Sequence, residues 1–160
     1  MTPSTTPEHL DYNEYSASAG INQLIGPSLS LGAQYTYTRS KLHAEFPEIP
    51  FSVTPSADRH EQADLQHATA FILWNHPSGF FSRLETHWYW QRNEGYNPGL
   101  EGEDIFMHNV LIGYRFVRQR AELSFGILNL ADTDYRLNPL NPYVELPRER
   151  VFVGRIKVNF

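Results

Sequence analysis

Aromatic side chains are concentrated between residues 74 and 96, where they suggest either a ligand-stacking surface or an interfacial belt. Trp74, Trp88 and Trp90 fit the belts that membrane proteins place at the boundary between lipid and water. Tyr89 and Tyr96 are better candidates for stacking on a sugar or a chelate, because tyrosine combines an apolar ring with a polar hydroxyl. The sequence therefore predicts ligand contacts at Tyr89 and Tyr96.

Two arginines join this candidate ligand-binding set. Arg83 and Arg115 alternate with apolar neighbours, so each falls on the polar face of a strand. There they can line a ligand path or pair across strands with acidic residues such as Glu85 and Glu122. Ion pairing is a simpler interpretation of these carboxylates than hydrolytic catalysis. No catalytic residue is predicted, and the chain is not expected to be an enzyme.

No metal site or cofactor is expected from the sequence. The histidines show neither an HExxH pattern nor a compact pair, and most are scattered at positions 43, 60, 67, 76, 87 and 108. An acidic segment offers oxygen ligands for a cation such as calcium through Glu94, Glu101, Glu103 and Asp104. Its spacing matches no known calcium loop, so a solvated loop is the simpler interpretation.

The composition excludes several classes of protein. The 160 residues carry a net charge of −5 without a basic block, which argues against a nucleic-acid partner. Cysteine is absent, so disulfides and thiolate metal sites are excluded. No apolar run is long enough for a transmembrane helix. The first ten residues lack the basic and apolar regions of a signal peptide, so in an outer membrane the chain would be a mature form or a piece of a longer protein.

Alternation of apolar and polar residues predicts an all-β, antiparallel fold. Between Leu29 and Thr38, for example, every second residue is apolar or aromatic, which is the period of a strand. Residues 67–74 are ambiguous, because apolar residues follow one another there. Seven strands are predicted, near residues 12–24, 29–38, 63–75, 80–91, 105–116, 121–130 and 148–160.

The connections between these strands alternate between short and long. Tight turns are predicted at residues 26–28, 76–79 and 117–120, and long loops at 39–62, 93–104 and 131–147. Outer-membrane barrels have this asymmetry, with short periplasmic turns and extended outer loops. Most strands are also close to the ~9–11 residues that cross a bilayer at a tilt. The mean hydropathy of −0.46 does not exclude a barrel, since its strands alternate between lipid and lumen.

The last strand shows how charge would be sorted in such a barrel. Arg155 and Lys157 fall on the face opposite Ile156, Val158 and Phe160. An arginine or lysine on the lipid face at mid-bilayer costs about 2–4 kcal/mol, so the charges are expected to face the lumen. A soluble sheet with one wet face would show the same alternation, and the loop asymmetry favours the membrane interpretation.

The chain resembles a known family most closely between Asn129 and Phe160. This segment is similar to the C-terminus of TonB-dependent outer-membrane receptors, whose penultimate strand commonly ends in an Asn-Leu-x-Asp-x-x-Tyr motif. Asn129, Asp132 and Tyr135 occupy the motif positions, and Leu130 matches as well. The segments GPSLSLGAQYTYTRSKL and NHPSGFFSRLETHWYWQ also resemble barrel hairpins of these receptors, so the resemblance covers most of the chain.

The resemblance implies location in the outer membrane of a Gram-negative bacterium. It implies that the complete receptor takes up a ferric chelate, a vitamin or a glycan, with TonB and a plug domain as partners. Phe160, with Val158 and Ile156, resembles the terminal signal that the barrel-assembly machinery reads. No plug domain and no TonB-contacting segment can be identified, and a complete receptor barrel has 22 strands.

We therefore expect a transmembrane β-barrel segment over residues 10–160, preceded by a flexible segment over residues 1–9. Seven strands leave two edges unpaired in lipid, so the remaining strands of a larger barrel or further copies of the chain are needed. A complete small barrel, with residues 2–10 as an eighth strand, remains an alternative that acts as pore, anchor or binding protein. A soluble β-sandwich binding module is the alternative from another class.

Overall fold

The computed structural model describes residues 6–50, 52–54, 57–97, 99–116, 120–135 and 149–158. Within these ranges the chain is all-β, as predicted: seven antiparallel strands form one sheet in the order of the chain. The strands are β1 (His9–Ile25), β2 (Leu29–Glu45), β3 (Asp58–Asn75), β4 (Phe80–Glu94), β5 (Asp104–Phe116), β6 (Ala121–Leu128) and β7 (Val151–Val158). Over the same ranges, no helix has the length and apolar character to cross a membrane.

The sheet is open over the described residues. β1 pairs only with β2, and β7 pairs only with β6. Every residue of both edge strands is exposed. A closed barrel is therefore not formed by the described strands alone, and it stays a prediction.

All short connections lie at one end of the sheet, because consecutive antiparallel strands reverse direction. Residues 26–28 join β1 to β2, and residues 76–79 join β3 to β4. In the second turn Gly79 has a φ of +100°, and a Cβ there would lie 2.2 Å from the Arg115 carbonyl oxygen. Only glycine fits at this position. The opposite end carries the long connections, whose described residues are 46–50, 52–54, 57, 95–97, 99–103, 129–135 and 149–150.

The loop predicted over residues 39–62 is wrong at both ends. β2 continues to Glu45 and β3 begins at Asp58, so the connection covers only residues 46–57. Arg39, a charged residue of the predicted loop, instead lies opposite Asp64 in the register, with Arg39 Nε 2.6 Å from Asp64 Oδ1. Smaller differences occur elsewhere, since β1 begins three residues earlier than predicted and β6 ends two residues earlier.

The register sorts the strand residues onto two faces. One face, called the apolar face here, carries large hydrophobic side chains that are exposed on every strand. Examples, one from each strand in order, are Ile21, Tyr35, Ile72, Leu84, Ile112, Phe125 and Ile156. The opposite face, called the polar face, carries Arg83, Glu85, His87, Arg115 and Arg155 among others. The predicted alternation of the strands is confirmed.

The register also resolves the ambiguous segment of β3. Ala68, Ile72 and Trp74 lie on the apolar face, whereas His67 and Phe71 lie on the polar face. Phe71 fits there because its register partner is glycine: a Cβ on Gly32 would lie 2.2 Å from the Phe71 ring.

Only a few apolar side chains are buried among the described residues, namely Ala44, Ala57, Ala63, Phe81 and Ile105. A soluble β protein normally buries one face of its sheet against a second layer. Here the described residues form a single layer, and its apolar face is left uncovered.

Candidate functional site

The polar face of β3, β4 and β5 carries a connected row of hydrogen-bonding side chains. His87 lies at its centre, with Nε2 2.6 Å from a Glu85 carboxylate oxygen and 3.2 Å from the Asn109 side-chain nitrogen. His87 Nδ1 lies 3.1 Å from His67 Nε2, and the Thr69 hydroxyl lies within hydrogen-bond distance of both rings. Cross-strand polar contacts of this kind fix the orientation of each side chain.

Arg83 extends this row towards the short turns. Its guanidinium donates to Glu85, and it also lies over the Phe71 ring at 4.9 Å from the ring centroid. One carboxylate, Glu85, therefore contacts both Arg83 and His87. Arg83, a predicted ligand contact, is therefore already ion-paired, and its side chain is 44% exposed.

Tyr89 extends the row in the other direction. Its ring stacks on His67, with centroids 4.1 Å apart and an interplanar angle of 6°. Tyr135, which follows β6, lies parallel to the Tyr89 ring at a centroid distance of 6.5 Å. The structure thus brings two predicted residues, Arg83 and Tyr89, into one surface, and adds Tyr135 from the family motif.

A cavity of about 370 Å³ lies over this surface. Hydrogen-bonding side chains dominate its lining, which includes Asn22, Gln34, Thr69, Arg83, Glu85 and His87. The cavity therefore offers hydrogen bonds to a polar ligand, and the stacked rings of His67 and Tyr89 lie next to it, beyond His87.

Arg115 belongs to a separate cluster nearer the short turns. Its Nε lies 3.0 Å from a Glu122 carboxylate oxygen, and its Nη1 donates to the Asn75 side-chain oxygen at 2.7 Å. The guanidinium also covers the Phe81 ring at 4.1 Å from the centroid. These contacts hold Arg115 between β3, β4, β5 and β6, away from the cavity.

Tyr96 lies outside both clusters, in the connection between β4 and β5. Its hydroxyl is buried and has no hydrogen-bond partner among the described residues. Burial, followed by the nearby charge of Glu61, raises the pKa of Tyr96 to about 12. The four predicted ligand contacts therefore do not form one site.

The family motif forms a turn after β6. Asn129 and Asp132 both have positive φ, 53° and 58°, a conformation that Asn and Asp tolerate better than most residues. The Asn129 side chain bonds to Thr133 twice, donating to its carbonyl oxygen and accepting from its backbone N–H, each at 2.9 Å. Asp132 accepts from the Arg150 backbone N–H at 2.7 Å. The motif thus connects the end of β6 to the residue before β7.

The residues predicted for barrel assembly lie at the end of the chain. Ile156 and Val158 are on the apolar face of β7, exposed to 75% and 52%. Phe160 lies outside the described residues, so its predicted role stays a prediction.

The sequence contains no compact histidine pair, but the register of β2 and β3 brings two distant histidines together. His43 and His60 are register partners, and their rings stack with centroids 4.0 Å apart. Together with Asp58 they form the one group of three potential metal ligands within the described part of the chain. The predicted acidic loop forms no such group over the same residues, and Asp104 instead accepts the Trp88 indole N–H at 2.8 Å.

Thr69 and Asn109 were not predicted as members of the polar row, nor was Gln34 as part of the cavity lining. Each is an ordinary polar residue within its own strand, and only the register brings Thr69 and Asn109 beside His87 and Gln34 beside Thr69. The alternation at positions 83, 85 and 87 was the available signal, and it identified the correct face. In comparisons with protein-family models, curated proteins and solved structures, nothing matches this chain.

Proposed function

We propose that the chain is a wall segment of an outer-membrane β-barrel, with its apolar face towards lipid and its polar face towards a lumen. The observation that carries the proposal is the distribution of charge at the level of the exposed hydrophobic side chains. From the level of Tyr35 and Trp88 to the short turns, the Asp, Glu, Lys and Arg residues of the described strands all lie on the polar face: Arg83, Glu85, Arg115, Glu122, Arg155 and Lys157. One level further towards the long connections, Asp104 lies on the apolar face opposite Trp90, where it accepts the Trp88 indole N–H.

The extent of the apolar face supports the same proposal. On β2 its apolar positions run from Leu29 to Tyr37, on β4 from Phe80 to Trp90, and on β5 from Phe106 to Phe116. These segments have about 9–11 residues, the length with which a tilted strand crosses a bilayer. Towards the long connections the same face becomes charged, beginning with Asp104 opposite Trp90 and continuing with Arg39 and Asp64. A lipid-facing band should end in this way where it meets water.

One pair of polar side chains lies among the hydrophobic residues of the apolar face, and the two hydrogen-bond to each other. Thr86 and His108 are register partners on the apolar face, and Thr86 Oγ1 lies 3.0 Å from His108 Nδ1. A hydrogen bond between them reduces the cost of placing both groups in lipid.

The finer proposal is that this wall is the C-terminal part of a TonB-dependent receptor, involved in uptake of a ferric chelate, vitamin or glycan. The motif turn at Asn129 and Asp132 supports it, because the motif residues have defined roles in joining β6 to β7. The surface around Arg83, His87 and Tyr89 is the ligand contact that we propose within the lumen. Its partners would be outer-membrane lipid, the barrel-assembly machinery, TonB and a plug domain.

The two open edges support a segment of a larger barrel. In lipid, each unsatisfied backbone group costs several kcal/mol, so β1 and β7 require further strands or further copies. A complete small barrel is the rival within the same membrane. A soluble β-sandwich would need a second sheet against the apolar face, and the described residues form one sheet.

Extraction and gel migration test the proposal. The 160-residue chain should require detergent to remain monodisperse. Recovery as a monodisperse protein in plain buffer would contradict the membrane proposal. Heat-modifiable migration then separates the two membrane forms. A compact band of the unheated isolated chain would favour the small barrel, whereas its absence would favour a segment that needs further strands.

A further inference from the structure

The ends of β2 and β3 that face the long connections hold two histidines and one aspartate in close contact. His43 and His60 face each other across the strands, and Asp58 lies two residues before His60 on the same face. Both rings present Nε2 to the same oxygen: His43 Nε2 lies 3.4 Å and His60 Nε2 lies 3.2 Å from Asp58 Oδ1. The three potential ligand atoms lie within 4.8 Å of one another.

These separations match the spacing of ligands around a small metal ion. With bonds of 2.0–2.2 Å to nitrogen and oxygen, two ligands of a tetrahedral zinc ion lie about 3.3 Å apart. The two nitrogen-to-oxygen distances, 3.4 and 3.2 Å, are close to that value. The rings are nearly parallel, at 22°, so a bound ion requires them to rotate until their nitrogen lone pairs converge.

The surroundings permit this rotation and favour a cation. The side chains of His43, Asp58 and His60 are 36%, 43% and 68% exposed. The register places two more carboxylates on the same face, Asp11 opposite His43 and Glu45 opposite Asp58. They outweigh the single positive charge of nearby Lys41, so the local field attracts cations.

An open groove of about 480 Å³ runs past the two rings and includes Asp11, His43 and His60 in its lining. It leaves room for the water molecules or other ligands that would complete the coordination of an ion held by three side chains. The site lies on the same side of the sheet as the apolar face, but past its hydrophobic residues towards the long connections, and it does not depend on the proposed function.

We propose that His43, His60 and Asp58 form a binding site for a divalent transition metal, with Zn²⁺ as the best-suited ion. Imidazole nitrogen is a preferred ligand of zinc, nickel and copper, whereas calcium and magnesium prefer oxygen ligands. Two imidazoles and one carboxylate therefore select transition metals over calcium. The open positions make this an exchangeable, surface-accessible site rather than a closed structural one.

Calorimetric titration of the full 160-residue chain in detergent with Zn²⁺ alone tests the site. We expect one saturable Zn²⁺ per chain. His43→Gln, His60→Gln and Asp58→Asn should each weaken binding at least about tenfold, because losing even the groups that support a metal ligand costs 10–100-fold. His76→Gln is the matched control: it removes an exposed histidine at the short-turn end and should leave the affinity unchanged.

Circular dichroism of each variant checks that the strands are retained. We expect them to be retained, because the three side chains are exposed. Absence of saturable Zn²⁺ binding to the parent chain would overturn the proposal. Equal affinity in His43→Gln or His60→Gln would also overturn it, as would an equal loss in His76→Gln. Saturable binding of Ca²⁺ in preference to Zn²⁺ would contradict the proposed ligand chemistry.

Discussion

Arg115 and Glu122 lie directly opposite each other on β5 and β6, with Arg115 Nε 3.0 Å from a Glu122 carboxylate oxygen. The same guanidinium covers the Phe81 ring and donates to Asn75, so one side chain connects four strands. This arrangement makes Arg115 a structural residue of the polar face.

Arg115→Ala should therefore lower the free energy of unfolding by about 1–3 kcal/mol, because it removes an ion pair, a hydrogen bond and a cation–π contact. Urea unfolding in detergent measures the change. Arg92→Ala is the control, since Arg92 and Glu94 form a pair that is mostly solvent-exposed, and its loss should cost no more than about 0.5 kcal/mol. Equal losses in the two variants would show that the cluster adds no stability.

Adjacent residues of β5 provide a test of which face meets lipid. Ile112 lies on the apolar face and Leu111 on the polar face. In lipid, Ile112→Arg should cost about 2–4 kcal/mol, whereas Leu111→Arg should cost clearly less. Unfolding of both variants from lipid bilayers gives the comparison. In a soluble sheet, the 45% exposed Ile112 would tolerate the change, and a cost within about 0.5 kcal/mol would contradict the lipid-facing assignment.

The Asn129 turn separates a backbone effect from a side-chain effect. Asn129→Ala loses both bonds to Thr133 and places alanine at a φ of 53°, so we expect a loss of about 2–4 kcal/mol. Asn129→Gly loses the same bonds but accepts the conformation, and it should cost about 1–2 kcal/mol less than alanine. Chemical unfolding measures both variants, and identical losses would contradict a role for the positive φ.

Sequence alternation predicted the sheet well because one period governs all seven strands. The turns at residues 26–28 and 76–79 were also predictable, since glycine and proline mark them. The ends of β2 and β3 were not, because Arg39 lies in a charged segment predicted as a loop, and only the register places it opposite Asp64. For the same reason the sequence identified the face of His87 but not its partners Thr69 and Asn109, which belong to other strands.

The buried Tyr96 hydroxyl predicts a defined alkaline transition. The pKa of Tyr96 is raised to about 12, above its ordinary value of 10, so folding favours the protonated form. This contribution to stability is present below pH 10 and is lost as the pH rises from about 10 to 12. Spectrophotometric titration of the phenolate in the parent chain and in Tyr96→Phe isolates it. A difference spectrum with an ordinary tyrosine midpoint would contradict the burial.

Removing the same hydroxyl should not destabilise the protein. Among the described residues the Tyr96 hydroxyl has no hydrogen-bond partner, so its burial costs free energy that Tyr96→Phe relieves. We expect unchanged stability or a gain of up to about 1 kcal/mol in chemical unfolding. A loss of more than 1 kcal/mol would show that the hydroxyl is hydrogen-bonded.

The tryptophans test the central claim most directly, because all three in the chain, Trp74, Trp88 and Trp90, lie on the apolar face. Their fluorescence in a detergent with brominated acyl chains therefore reports on that face alone. If the apolar face meets lipid, the bromines should quench the emission strongly, and a water-soluble quencher should have little effect. Emission that is insensitive to the bromines but readily quenched from water would contradict the account.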